Sequence, residues 1–277
     1  MRALLFFLFA GLLLTSCDEP YVLDTSDGTS RVIIEGLVTN APTRQYVKVT
    51  RSSGFYDTGA SPRITNATIT VSDDAGNVYE FVHNPREHTD SAGYYLPTLP
   101  FSGEIGRTYS LSVSIDGIVY DAEDKLNPVT AIDSLSYRLD EDEREDPEED
   151  GKFYEVLIYA KEPQETTDYY LFKFYRNDSL IMQEEDEIYF ADDEILGERI
   201  DGISSPIYFA PGDRAKIEIF SITRTAFVFY SDLQALLRND GGLFSQPPAN
   251  SRNNFSNGAF GYFQASAMHE REIVIEE

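Results

Sequence analysis

The feature that most constrains this chain is alternation. From Tyr109 to Ile115, apolar residues and serines take strict turns, and Asp116-Gly117 then intervenes before Ile118-Val119-Tyr120. A period of two sends successive side chains to opposite faces of a strand, so one face packs and the other meets water. Asp-Gly at the reversal suits a tight hairpin, because both residues tolerate positive φ. The same grammar recurs at Tyr46–Thr50, Ala67–Val71 and Tyr79–Val82, with Asp73-Asp74-Ala75-Gly76-Asn77 as the turn between the last two. Val32–Val38 and Gly93–Leu96 add further strands. About seven short strands with turn signals between them predict an immunoglobulin-like β-sandwich over residues 31–127.

Asn127-Pro128 punctuates the end of that unit. A β-rich second domain, 128–277, is expected from Ile132–Leu139, Phe153–Tyr159, Tyr169–Tyr175, Ile188–Phe190 and the alternating Ala215–Ile222. One helix is predicted at about 225–238, where Phe229, Leu233, Leu236 and Leu237 share a face. Asn239-Asp240-Gly241-Gly242 would end it with C-cap chemistry. Two strands, Gly258–Ala265 and Ile273–Ile275, close the chain. The expected fold class is therefore mainly β, a sandwich followed by a β-rich domain with one helix. The acidic run 140–150 has nothing to bury and reads as a solvated loop.

The first residues carry a different message. Arg2 precedes an apolar run from Ala3 to Leu14, the n-region and h-region of a secretory leader. A helix that crosses a bilayer needs roughly 20 residues, so the run is too short to span. It ends in Leu14-Thr15-Ser16-Cys17, the lipobox order of aliphatic, small, small, cysteine. Residues 1–16 are then a cleaved signal peptide, and Cys17 receives the lipid. The alternative is an ordinary leader with a chance cysteine. Against that, Cys17 is the only cysteine in the chain. An exported domain without disulfides must draw its stability from its core. Residues 17–30 read as a flexible tether. Asp18-Glu19 directly after the cysteine fit an acidic surface-export signal, or simply an acidic linker.

Charge narrows the partners. The formal net charge is −26, and loss of Arg2 with the leader makes the rest one unit more acidic. Such a chain repels phosphate backbones, which argues against nucleic acid. It also repels anionic head groups, so acyl chains must supply the hold on a membrane.

Several stretches together resemble a domain-of-unknown-function family of Bacteroidota outer-membrane lipoproteins, encoded beside TonB-dependent transporters. They are the lipobox, Val32–Asn40, Ala67–Asp74, Gly106–Leu111 and Tyr169-Tyr170. The most specific is Pro247-Pro248-Ala249-Asn250 followed by Asn254, Gly258 and Gly261-Tyr262-Phe263. The resemblance spans nearly the whole exported chain. It implies an outer-membrane location and a transporter as neighbour, and it brings no active-site residues with it.

The search for chemistry is mostly negative. No Gly-x-Ser-x-Gly elbow, His-Glu-x-x-His pair or glycine-rich phosphate loop is present. Carboxylate pairs suited to sugar hydrolysis carry no information in a chain this acidic. His83, His88 and His269 are scattered, so no metal site and no cofactor is expected. The run 140–150 and Asp192-Asp193-Glu194 lack the spacing that wraps a Ca²⁺ ion, and a solvated surface is the simpler reading. Pro247, Pro248, Asn250, Asn253 and Asn254 form a candidate partner-binding loop, stiffened by proline and rich in amides. The competing reading has the asparagines bonding their own backbone. Ser91, Ser134 and Ser179 each follow Asp in a loose O-glycosylation pattern.

The leading expectation is a lipid-anchored accessory or binding protein, not an enzyme, that works with a TonB-dependent transporter at the outer membrane. A structural or adhesion-like surface module is the second reading, and a hydrolase the third. The absence of Trp weakens sugar binding, although Tyr can supply the platform.

Overall fold

The structure, a computed structural model, describes residues 30–54, 59–84, 87, 89–161, 166–182, 187–193, 199–239 and 250–276. The chain is mainly β. In its first part come β1 (Val32–Thr39), β2 (Tyr46–Arg51), β3 (Thr68–Asp73), β4 (Val78–His83), β5 (Tyr94–Pro97), β6 (Thr108–Ile115) and β7 (Ile118–Lys125). Next are β8 (Ile132–Leu139), a short helix α1 (Glu141–Glu145), β9 (Tyr154–Lys161), β10 (Tyr169–Arg176), β11 (Ser179–Ile181) and β12 (Tyr189–Asp192). The chain ends with β13 (Arg199–Phe209), β14 (Arg214–Ile222), helix α2 (Arg224–Leu237), β15 (Phe260–Ser266) and β16 (Met268–Val274).

Alternation does what it predicts in β6. Tyr109, Leu111, Val113 and Ile115 are buried, while Ser110, Ser112 and Ser114 face outward. At the preceding hairpin, the Asp73 carboxylate accepts the backbone N–H groups of Ala75 and Asn77 and the Asn77 amide. Burial opposes its charge, but these bonds outweigh it and hold Asp73 below the usual carboxylate range.

The first sheet has eight strands in the order β15-β1-β2-β5-β4-β3-β6-β7. Its first member comes from the far end of the chain: β15 pairs parallel to β1. The unit predicted over 31–127 therefore borrows a strand from the second. The sheet curls over its core until β15 lies against β7. Two glycines permit the β1–β15 approach. Gly261 has φ +97°, and a Cβ there would stand 2.0 Å from the Ile34 carbonyl oxygen. Gly36 faces Phe263, whose ring occupies the space its own side chain would need.

The second unit stacks the sheet containing β11, β10, β14 and β16, with β12 also on β10, against the sheet β13-β9-β8. Its core contains Ile132, Val156, Ile158, Tyr170, Phe174, Phe209, Ile217 and Ile219. β13 escapes the sequence reading because its period is broken. Register shifts fall between Asp201 and Ile203 and between Ser204 and Tyr208, with Gly202 and Pro206 inside them.

The acidic run is a correction. It is not an unpacked loop: Asp140 caps α1 through the N–H groups of Asp142 and Glu143, where the helix dipole favours carboxylates. Glu143 is buried and accepts the Glu148 N–H. Glu149 takes the guanidinium of nearly buried Arg176 in a forked bond at 3.0–3.2 Å. Charge complementarity to a distant strand gives these residues a partner that composition could not reveal.

Candidate functional site

The two β units meet along a seam, and the seam holds a cavity. One face of the β10–β14 sheet belongs to the second core. The other face carries Leu171, Lys173 and Tyr175 on β10, opposite Phe220, Glu218 and Lys216 on β14. Its upper part packs with α2 and Tyr262 in a third apolar cluster that includes Phe220, Ile222, Phe229 and Met268. Helix α2 begins one residue before the predicted start, and Thr223 accepts the Ala226 N–H as its N-cap.

Polar ties hold the seam. Asn40, at the end of the β1 hairpin, accepts the Met268 N–H at 2.8 Å and donates to the Met268 carbonyl at 3.2 Å. Ser221 donates to the Asn127 carbonyl at 2.6 Å. Arg44, between β1 and β2, bonds fully buried Glu218 and reaches Glu270 at 3.1 Å. Glu218 also accepts from Tyr175 at 3.0 Å and faces Lys216 at 3.5 Å. A buried carboxylate needs such company, because an unpaired one costs several kcal/mol (on the order of 3–5 on removal of a partner).

The cavity has a volume of about 470 Å³. Leu37 on β1, Leu171 on β10, Phe229 and Leu233 on α2, and Phe260 and Tyr262 on β15 give it apolar walls. Polar groups reach it from each side: Glu35, Tyr46, Lys173, Tyr230, Ser251 and Gln264. The Tyr46 hydroxyl donates to Glu35, and the Tyr230 hydroxyl donates to buried Gln264 at 2.6 Å. Burial first, then Glu35, pushes both phenols well above their ordinary range. They are donors at neutral pH and not bases. An apolar hollow between two units with a few convergent polar groups is the usual form of a small-molecule site.

A second buried carboxylate stands at the seam's edge. Asp124 on β7 accepts the Ala265 N–H at 2.9 Å and the Thr223 hydroxyl at 2.8 Å. Burial pushes it up to about 7, against the pull of those bonds.

A family model describing a domain of unknown function (DUF4249) matches residues 18–272. The chain belongs to that family. The match takes in both β units, the seam and its cavity. No curated protein matches the chain.

The sequence-predicted residues fall in several places. Cys17, Asp18 and Glu19 lie outside the described residues, as do Pro247 and Pro248. Asn250 is exposed. Asn253 accepts the Phe255 N–H at 3.0 Å. Asn254 donates to the carbonyls of Glu123 and Phe263 and accepts the Phe263 N–H, so it bridges β7 to β15. Asn257 and Ser256 extend that bridge to Val119 and Asp121. Of the candidate partner loop's asparagines, Asn254 thus staples β7 to β15, while Asn253 bonds only locally. Ser251 lines the cavity in their place. Ser134 and Ser179 are exposed on strands, and Ser91 is half-buried. Among the described residues no group of three or more His, Cys, Asp or Glu side chains converges to hold a metal ion. No described helix is long and apolar enough to cross a membrane.

Sequence reading missed Glu35, Lys173, Tyr230 and Gln264. Glu35 and Lys173 sit at the polar beats of alternating strands, where a charged residue looks like ordinary solvent-facing surface.

Proposed function

We propose that this DUF4249 protein is a lipid-anchored binding protein of the outer membrane, partner to a TonB-dependent transporter. The seam cavity is the observation that carries the binding half of the reading: it is preformed, mostly apolar, and supplied with polar groups from three directions. The lipobox ending at Cys17 supports the anchor, and Asp18-Glu19 support export to the cell surface. The likeness to transporter-linked Bacteroidota lipoproteins supports the partner. A scaffold or adhesion module has no use for a hollow at its central joint, which favours binding over the structural reading.

Three measurements test this. Labelled palmitate should enter the wild type and not Cys17→Ala. Protease added to intact cells should degrade the protein. In-cell crosslinking with mass spectrometry should recover a TonB-dependent barrel. Protection from protease while surface controls are digested ends the surface reading, and crosslinks confined to the protein itself end the transporter partnership.

A further inference from the structure

We propose that the seam cavity takes an amphipathic monocarboxylate, its apolar or aromatic body in the cavity and its carboxylate on the Lys173 ammonium. This rests on the cavity being the ligand site, as above. The argument begins with partners. The carboxylates that share Lys173's side of the seam, Glu35, Glu218 and Glu270, already face cations. Glu35 faces Lys48 at 3.5 Å, Glu270 faces Arg44, and Glu218 holds both Arg44 and Lys216. The second Glu218 oxygen is taken by Tyr175. Lys173 sits directly across the ladder from Glu218, yet its ammonium makes no hydrogen bond or ion pair among the described residues. Its ammonium instead lies over the Phe220 ring, 5.0 Å from the centroid.

An acidic chain has few cations, and one of them lines an apolar cavity without an anion of its own. Burial pulls Lys173 below its ordinary range and Arg44 adds to that, while Glu218 and Glu35 push back. A ligand carboxylate would restore the charge-assisted partner that the protein withholds. The walls set the rest of the ligand. Leu171, Phe229, Leu233 and Phe260 suit an alkyl or aryl body. Exposed Glu35 at the rim repels a second negative charge, so one carboxylate is favoured over two.

Calorimetric titration of the full-length protein in lipid nanodiscs, with empty nanodiscs subtracted, tests this with octanoate, 1-octanol and octylammonium. Octanoate should bind at least tenfold more tightly than octanol. Lys173→Met should abolish the octanoate preference and leave octanol binding unchanged, and Lys173→Arg should keep it. Should Lys173→Met fail to melt cooperatively, Lys173→Gln serves in its place. Equal affinity for octanoate and octanol in the wild type overturns the carboxylate and leaves a ligand cavity. A preference for octylammonium moves recognition to Glu35 and overturns the inference. Binding of none of the three overturns both the inference and the cavity's role, whereas the membrane and transporter tests above stand apart from it.

Discussion

The two faces of the β10–β14 sheet are made by the same strands and do opposite work. One face presents Tyr170, Phe174, Ala215, Ile217 and Ile219 to β8, β9 and β13, and every one of them is buried. The other presents Leu171 and Phe220 above, then Lys173, Glu218, Tyr175 and Lys216 below. A face packed on a sheet needs only shape and apolarity. A face at a joint must also set the register of two units, and there the buried charge of Glu218 is tolerated because Arg44, Lys216 and Tyr175 meet it. The difference teaches where to look for function in a β-rich chain: at the face whose polar residues are buried anyway.

Substitutions can break that comparison. The largest effect is expected at Gly261→Ala, which forces a side chain into positive φ and against the Ile34 carbonyl. Strain and overpacking together should cost on the order of 4 kcal/mol. Thermal melting should fall sharply, and a near-wild-type melting point would show that β15 can leave β1 without harm. On the core face, Ile217→Ala should cost about 2–5 kcal/mol. Leu171→Ala, on the seam face, should cost less than half as much, because the cavity already denies it contacts on one side. Equal losses in denaturant titrations would erase the contrast between the faces.

Asp124 sharpens the comparison through pH. Its folded value of about 7 lies above the unfolded carboxylate value, so the protonated form favours the fold. That stability is complete below about pH 4 and is lost as pH rises through 7, on the order of 3 kcal/mol. Asp124→Asn should flatten the pH profile of unfolding over this window, and an unchanged profile would mean another group is responsible. Glu149→Ala should cost a more modest 1–2 kcal/mol or about that, since it strips nearly buried Arg176 of its forked partner while Glu149 itself is half-exposed. No loss would return the acidic run to a bystander. The smallest effect belongs to Lys173→Met. Removing a half-buried ammonium with no anion should leave stability within about 0.5 kcal/mol or raise it slightly. A large loss would mean that Lys173 holds the fold together and is not held ready for a ligand.

Much of this molecule was legible as sequence wherever the physics is local. Strict alternation placed β3, β4 and β6 to within a residue or two, because a period of two is a property of adjacent side chains, whereas β7 runs five residues beyond its predicted end at Tyr120. The spacing of Phe229, Leu233, Leu236 and Leu237 placed α2 for the same reason. What only the tertiary structure decided is long-range. Gly261 had no visible reason to be glycine until β15 lay against Ile34. Asn254 looked like a free amide until β7 and β15 closed around it. Glu143 and Glu149 looked like solvent-facing charge until Glu148 and Arg176 were placed beside them. Lys173 looked like the outer face of a strand until a second sheet and a helix covered it. Except for Glu143, whose partner is five residues on, each residue's role depends on a partner far away in the chain, and a charge or an amide reads as surface until that partner arrives. Periodicity along a strand says which face a residue takes, but not what comes to lie across from it.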